Sequence, residues 1–299
     1  MFSERTNWRL AQNPFTRALE EVRASGTKIL DLTASNPTRV GLRYEEQSIL
    51  AALASPQALD YDPQSKGMRE AREAVAAYYR DDHALRDLEA ERIILTTSTS
   101  EGYSFVFRLL CNAGDELLVP KPSYPLFEFL ADLQDVRLAP YELIYDHGWQ
   151  IDFPSLEKAA TSRTRGVVVV HPNNPTGSYV RAEEMEMLNS FCRERGLAVI
   201  ADEVFLDYRL EDKVQGSFVG NEEVLTFTLS GLSKIAALPQ MKVAWVVTSG
   251  KAAVEAMGRL EIIADTYLSM NAPVQWAMPA LLEQRKNIQA QLLKRVKEN

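Results

Sequence analysis

Short apolar runs alternate with helical segments through the middle of this chain, and this alternation narrows the folds that it can adopt. The run at 166–172 contains four consecutive valines, as expected for a strand buried on both faces of a sheet. Alternating strands and helices favour the α/β class, with a mostly parallel sheet and helices on both faces. We predict strands at 93–97, 116–120, 166–172, 197–204, 224–230 and 242–248, and helices at 101–111, 124–134 and 181–195.

The two ends of the chain follow a different pattern. The N-terminal part is predicted to hold, in order, a helix near 16–24, a strand at 28–33 and an amphipathic helix at 67–79. The last stretch, 273–297, has apolar residues near a common stripe and is predicted as one long helix. We therefore expect an N-terminal arm (1–45), a large domain (46–272) and a terminal helix (273–299).

Composition and simple sequence patterns argue against several classes of protein. The chain has 299 residues, 46% hydrophobic and 25% charged, as in soluble globular proteins. Its net charge of −8 argues against nucleic acid as a partner. It has no apolar run long enough for a membrane span and no signal-peptide pattern. The three histidines are too scattered to suggest a zinc site. Cys111 and Cys192 fall in apolar helical patterns and predict free thiols in a reducing, cytoplasmic setting.

Polar residues follow several of the predicted strands. Asp202 follows five apolar residues, and Lys234 comes shortly after the strand at 224–230. Each has a plain structural explanation: a lysine there is usually a solvated charge, and a buried carboxylate can cap a helix or form a salt bridge. However, the carboxyl ends of parallel strands meet at one edge of a sheet, so these groups are expected to gather there.

Three further segments lie at predicted strand ends. The sequence 173–177 (NNPTG) is composed of turn residues, Tyr124 stands near the start of a predicted helix, and hydroxyls at 98–100 open another helix. A turn, a packed aromatic residue and ordinary N-capping would explain them separately. Hydroxyls and free amides at a helix N-terminus also make an anion site.

Together these motifs resemble the cofactor site of the fold-type I pyridoxal-phosphate enzymes, in the class I/II aminotransferase family. The resemblance covers about 28–299. It implies the large domain of that fold, with part of a small domain supplied by the N-terminus. It also implies pyridoxal 5′-phosphate as cofactor, with an amino acid and a 2-oxo acid as substrates.

The resemblance assigns a role to each polar residue. Lys234 holds the cofactor aldehyde as a Schiff base (an aldimine) and, once freed, shuttles a proton between the substrate α-carbon and the cofactor. Asp202 pairs with the pyridinium nitrogen, Asn174 donates to the 3-oxygen and Tyr124 stacks on the ring. The other implied cofactor-binding residues are Ser98, Thr99, Ser100, Phe205, Ser233, Lys242 and Tyr61. Tyr61 matches a tyrosine that reaches the phosphate of a neighbouring subunit, which implies a homodimer.

Three positions depart from the family pattern. Phe205 stands where a tyrosine hydroxyl commonly bonds the 3-oxygen, and its absence is expected to raise the pKa of the Schiff base. Lys242 replaces an arginine that binds phosphate. Lysine keeps the positive charge but cannot make the two parallel hydrogen bonds of a guanidinium. Gly231 replaces a common phosphate-binding serine.

The chain also ends where the C-terminal half of the family's small domain would begin. That half supplies the arginine that binds the substrate α-carboxylate, so we expect cofactor binding with weak turnover. Two alternatives stay open at this point. One is a pyridoxal-phosphate-dependent lyase or decarboxylase, and the other is a non-catalytic protein that binds the cofactor.

Overall fold

A single mixed sheet of eight strands forms the centre of the computed structural model, which describes residues 1–31, 35–211 and 216–299. The strands run in the spatial order β1-β8-β7-β6-β5-β2-β3-β4. Their bounds are β1 Ile93–Thr96, β2 Glu116–Lys121, β3 Arg137–Tyr145, β4 Trp149–Ile151, β5 Thr164–Val170, β6 Ala198–Asp202, β7 Thr226–Gly231 and β8 Ala244–Ser249.

The predicted mostly parallel sheet is confirmed. Strands β3, β2, β5, β6 and β7 are parallel to their neighbours in that series. β8 lies antiparallel between β1 and β7, and β4 is an antiparallel strand at the far edge. Because β8 runs opposite to β7, the start of β8 lies at the same edge as the ends of β1, β6 and β7.

Helices surround the sheet. Within the described residues their bounds are α1 Pro14–Ala24, α2 Glu46–Leu53, α3 Arg69–His83, α4 Thr99–Leu110, α5 Phe127–Asp132, α6 Phe153–Ala159, α7 Ala182–Arg195, α8 Leu232–Ile235, α9 Ala253–Asp265, α10 Ala272–Glu283 and α11 Arg285–Glu298. None of these helices is long and apolar enough to cross a membrane.

The valine run of β5 shows how both faces of the sheet are covered. Val168 and Val170 belong to the apolar cluster that contains residues of α4 and α9. Val167 and Val169 belong to the cluster that contains residues of α7. Successive side chains of a strand point to opposite faces, so a strand with helices above and below it is apolar throughout.

Three predicted helices differ from the observed ones. α3 runs from Arg69 to His83 rather than from 67 to 79. α5 begins at Phe127 rather than at 124, because Pro125 disfavours the helical conformation for the residue before it. The single helix predicted at 273–297 is two helices, α10 and α11, which meet at Gln284. At this junction the buried Arg285 guanidinium donates to the Leu282 carbonyl and to Asp82 on α3, at 2.8 and 2.7 Å.

Two predictions about strands were wrong or incomplete. Residues 28–31 form no strand, Leu30 is exposed, and the rest of the predicted strand 28–33 lies outside the described residues. Conversely, the sequence prediction missed strands β3 and β4 and helices α2, α6 and α8. β3 is mostly exposed or half-buried, so it lacks the continuous apolar run by which the central strands were recognised. The proposed domain limits at 45 and 272 stay a prediction.

Candidate functional site

The ends of three neighbouring strands bring the predicted site residues together. Val170 at the end of β5 pairs with Asp202 at the end of β6, and Asp202 pairs with Leu229 of β7. Lys234 lies in α8, which begins directly after β7. The sheet register therefore places the carboxylate and the amine at the same edge.

The other half of the site comes from the antiparallel strand β8. Ala244 at its start pairs with Gly231 at the end of β7 and with Thr96 at the end of β1. The segment that precedes β8 carries Lys242, and the segment that follows β1 opens α4. Both are thus brought to the edge that carries Lys234.

Asp202 is a buried carboxylate with two hydrogen-bond donors. The Tyr103 hydroxyl donates to Oδ2 at 2.9 Å, and the Val204 N–H donates to Oδ1 at 3.1 Å. Burial raises the pKa of Asp202, whereas these two bonds and the charge of Lys234 act in the opposite direction. A carboxylate in such a position is suited to pair with a cation that enters the site.

Lys234 is exposed, and its Nζ lies 5.7 Å from the centre of the half-buried Phe205 ring. Its backbone carbonyl accepts a hydrogen bond from the Tyr208 hydroxyl at 2.5 Å. The turn that follows β6 therefore holds the main chain of α8, while the Lys234 amine remains accessible. Ser233, the residue before it, is half-buried.

Tyr124 is half-buried and lies within electrostatic range of Asp202. Burial raises the pKa of Tyr124, and the negative charge of Asp202 adds to that effect. The Tyr124 ring is 5.9 Å from the Phe127 ring and nearly perpendicular to it. Phe127 is itself 5.2 Å from the Tyr103 ring, so these aromatic residues form a wall beside the carboxylate.

The turn after β5 lies against the segment that carries Tyr124. The buried Asn173 donates from Nδ2 to the Pro122 carbonyl at 3.3 Å and to Thr176 Oγ1 at 2.9 Å. Asn174, the residue predicted to contact the cofactor, is exposed. Asn173 Oδ1 and Ser123 Oγ are buried side-chain atoms without a protein partner.

The start of α4 presents hydroxyls and free amides, and one of these hydroxyls already accepts a hydrogen bond. Ser98 Oγ accepts the Glu101 N–H at 3.2 Å, as an ordinary N-cap residue does. This bond uses one lone pair of the hydroxyl oxygen. A serine that accepts one bond can still donate its proton. Thr99 and Ser100 stand in the first turn, where amides have no acceptor within the helix. These donors point along the helix axis toward the sheet edge.

Lys242 and Gly231 lie on the segments beside the start of α4. Lys242 is exposed and adopts a left-handed conformation with φ 54°. A Cβ at Gly231 would lie 2.8 Å from Ala244 Cβ and 2.9 Å from the Val243 oxygen. β7 and β8 are therefore too close for the serine of the family pattern.

Tyr61 does not join this group of residues. It is 88% exposed and lines a separate cavity of about 290 Å³, together with Ser269 and Trp276. Ser269 Oγ donates to Glu101 Oε2 at 2.9 Å, which connects the wall of this cavity to the first turn of α4.

Sequence reasoning missed two tyrosines at the site. Tyr103 contacts Asp202, and Tyr208 contacts the Lys234 main chain. Tyr103 lies one turn before Phe107 on the buried face of α4, and a buried phenol needs a partner. That requirement was a usable signal for Tyr103, but the sequence contained no comparable signal for Tyr208.

The residues at this edge fit the implied cofactor. Asp202 offers a buried carboxylate to a pyridinium, Lys234 offers an accessible amine to an aldehyde, and the first turn of α4 offers donors to a phosphate. Ser123 Oγ and Asn173 Oδ1, on the two segments next to Tyr124 and Asn174, are further buried polar atoms without a protein partner. Within the described ranges no cluster of metal-ligating side chains occurs.

Comparison with known proteins identifies similar sequences and structures. The sequence profile of the family "Aminotransferase class I and II" matches residues 27–298. The glutamate-pyruvate aminotransferase AlaA of Escherichia coli K12 is 30% identical over 275 residues, which are 91% of this chain and 67% of that protein. An alanine aminotransferase of Mycobacterium tuberculosis H37Rv is 28% identical over 287 residues, 93% of this chain and 66% of that protein.

The fold is also that of a solved structure. Alanine aminotransferase from Pyrococcus furiosus superposes with a TM-score of 0.88 at 24% identity, covering 100% of this chain and 77% of that one. The chain therefore spans about two thirds of the length of the two relatives compared by sequence.

Proposed function

We propose, from the premise that this chain belongs to the class I and II aminotransferase family, that Lys234 and Asp202 are the two residues on which its amino transfer depends. Members of this family use pyridoxal phosphate, which stabilises negative charge at the substrate α-carbon when it is bound. The single observation that supports the assignment is that a buried carboxylate and an accessible lysine lie at the same edge of the sheet.

Lys234 would do two things in turn. Its amine would hold the cofactor aldehyde, and when free the same amine would accept a proton at the substrate α-carbon. The Tyr208 bond to its carbonyl keeps α8 in place while the side chain moves. A flexible side chain on a fixed backbone suits both tasks.

Asp202 would hold the ring nitrogen in its protonated form. A buried anion beside a cation favours the charged state of both partners. Asn174 would donate to the 3-oxygen and Tyr124 would cover one ring face, while Thr99 and Ser100 would bind the phosphate with Lys242. Ser98 and Ser233 complete the proposed set of contacts.

We propose alanine and glutamate, with their 2-oxo acids, as the substrate pair. The relatives compared above carry the names glutamate-pyruvate aminotransferase and alanine aminotransferase. These names favour amino transfer over elimination or decarboxylation.

We further propose a homodimer and a cytoplasmic setting. Tyr61 lines an open cavity beside Ser269, on a surface where a second copy could bring its own phosphate site. Two free thiols, Cys111 and Cys192, suit a reducing compartment.

The proposed function is tested by measuring pyruvate formation from alanine with 2-oxoglutarate as acceptor. We expect activity with added pyridoxal phosphate, loss of activity in Lys234→Ala and full activity in Lys251→Ala, an exposed lysine used as matched control. Ammonia or carbon dioxide as the main product, without amino transfer, would contradict the assignment.

A further inference from the structure

We propose that Tyr103 is a positioning residue, which holds the Asp202 carboxylate in one orientation and in its ionised form for the cofactor nitrogen. The inference rests on the proposed function, because it takes Asp202 as the partner of that nitrogen. Tyr103 lies on α4 and Asp202 ends β6, so the contact joins two elements that approach only in the folded protein.

The geometry fixes both carboxylate oxygens. The Tyr103 hydroxyl donates to Oδ2 at 2.9 Å, and the Val204 N–H donates to Oδ1 at 3.1 Å. The two donors belong to different segments, since Tyr103 lies on α4 and Val204 follows β6. Rotation of the carboxylate would therefore break at least one of the two hydrogen bonds. Tyr103 is 1% exposed and Asp202 is 6% exposed, so water offers little replacement for a lost bond.

Tyr103 is itself held in place. Its ring makes edge contacts with Phe107 at 5.8 Å and Phe127 at 5.2 Å. The preceding residue, Gly102, lets α4 lie close to the sheet, since a Cβ there would be 2.9 Å from Val246 Cγ2. The phenol therefore cannot swing away from Asp202 without unpacking α4.

The environment of Asp202 explains why a hydrogen-bond donor is needed to keep its carboxylate ionised. Burial raises the pKa of Asp202 and thus favours the neutral acid, which cannot pair with a pyridinium. Tyr103, Val204 and Lys234 oppose this effect. Among the described residues, Tyr124 and Glu203 also interact electrostatically with Asp202.

Tyr103 remains a donor at all working pH values. Burial, followed by the charge of Asp202, raises its own pKa well above the ordinary value of 10.0. Its hydroxyl therefore keeps its proton, and the bond always favours the ionised carboxylate.

A buried phenol can also serve packing alone, and the chain contains an example. Tyr141 is likewise 1% exposed, and its hydroxyl donates at 2.9 Å to the Val168 carbonyl. Tyr141→Phe removes the same atom from the same kind of environment without touching Asp202. It is the matched control for Tyr103→Phe.

The test measures the dissociation constant of pyridoxal phosphate by absorbance between pH 6 and pH 9, in wild type and both variants. Urea unfolding of each apoprotein separates a loss of affinity from a loss of fold. In Tyr103→Phe we expect binding weakened about tenfold at the acid end of this range, as one hydrogen bond to a charge would give. The difference should shrink as the pH rises, because Asp202 then ionises without help.

Tyr141→Phe should bind the cofactor as wild type does at every pH. Equal cofactor affinity in Tyr103→Phe and Tyr141→Phe across the pH range would overturn the inference and leave Tyr103 a packing residue. Failure of the wild type itself to bind cofactor would instead contradict the proposed function, so the two failures are distinguishable.

A second comparison does not depend on the single variant folding well. In an Asp202→Asn background the side chain is neutral, so adding Tyr103→Phe should leave the dissociation constant unchanged within twofold. This cycle isolates the coupling between the two side chains. An additional tenfold loss in the double variant would show that Tyr103 acts independently of the carboxylate, and would contradict the inference.

Discussion

The ammonium of Lys234 lies 5.7 Å from the centre of the Phe205 ring, within reach of a cation–π contact. Phe205 follows Asp202 by three residues, in the turn that also carries Tyr208. The ring that faces the amine therefore offers it an apolar surface and no hydroxyl.

A tyrosine at position 205 should change the titration of bound cofactor. The added hydroxyl would donate to the cofactor 3-oxygen and stabilise its deprotonated form, so the pH-dependent change in the visible band should move to lower pH. A shift of about one pH unit or more is expected, since a hydrogen bond to a charged group contributes about 1.5–3 kcal/mol. Spectral titration of wild type and Phe205→Tyr measures it. If the visible band of Phe205→Tyr changes at the same pH as that of wild type, or at a higher pH, then Phe205 does not face that oxygen.

Restoring the family serine at position 231 should harm this protein. The new Cβ would collide with Ala244 and the Val243 oxygen, so we expect Gly231→Ser to lose about 1–3 kcal/mol in the free energy of unfolding. Gly258→Ser is the control, because a Cβ there meets nothing within 4 Å. Urea unfolding compares the two. A Gly231→Ser protein as stable as wild type, with tighter cofactor binding, would refute this explanation.

The sequence predicted the sheet edge better than it predicted the details of the site. Asp202 and Lys234 could be found because their strands are fully buried and end abruptly in polar residues. The contact between Tyr103 and Asp202 could not, because it joins residues 99 positions apart through the packing of α4 on the sheet. Beside the break at Gln284, the bond from Arg285 to Asp82 likewise joins residues 203 positions apart.

Glu203 should make the protein less stable as the pH rises. Burial raises the pKa of this 1% exposed carboxyl to about 8, from an ordinary value of 4.5. The folded protein thus keeps a proton that the unfolded chain loses. The contribution of Glu203 to the free energy of unfolding is therefore full below pH 4.5 and is lost as the pH rises through 8. The size of this loss is a few kcal/mol.

In Glu203→Gln the free energy of unfolding should depend less on pH than in wild type. Glutamine can accept from the Phe218 N–H and pair with Ser217 Oγ, the two present partners of Glu203. Urea unfolding at several pH values between 5 and 9 tests this, with the exposed Glu183→Gln as control. The same slope in Glu203→Gln and wild type would assign the pH dependence to another group.

Mixed dimers should reveal whether Tyr61 acts across an interface. Tyr61→Ala and Lys234→Ala are each expected to be weak or inactive alone. If Tyr61 serves the neighbouring subunit, a refolded equal mixture contains heterodimers with one intact site, and activity should return to about a quarter of wild type. No recovery, or a monomer by light scattering at micromolar concentration, would contradict the proposed role.

The most direct test of the account is to identify the lysine that holds the cofactor. The protein is incubated with pyridoxal phosphate, reduced with borohydride, digested and analysed by mass spectrometry. The account predicts one modified peptide, with the label on Lys234, and no label at that peptide in Lys234→Arg. A label on another lysine at comparable yield, or none on Lys234, would contradict the assignment of the site.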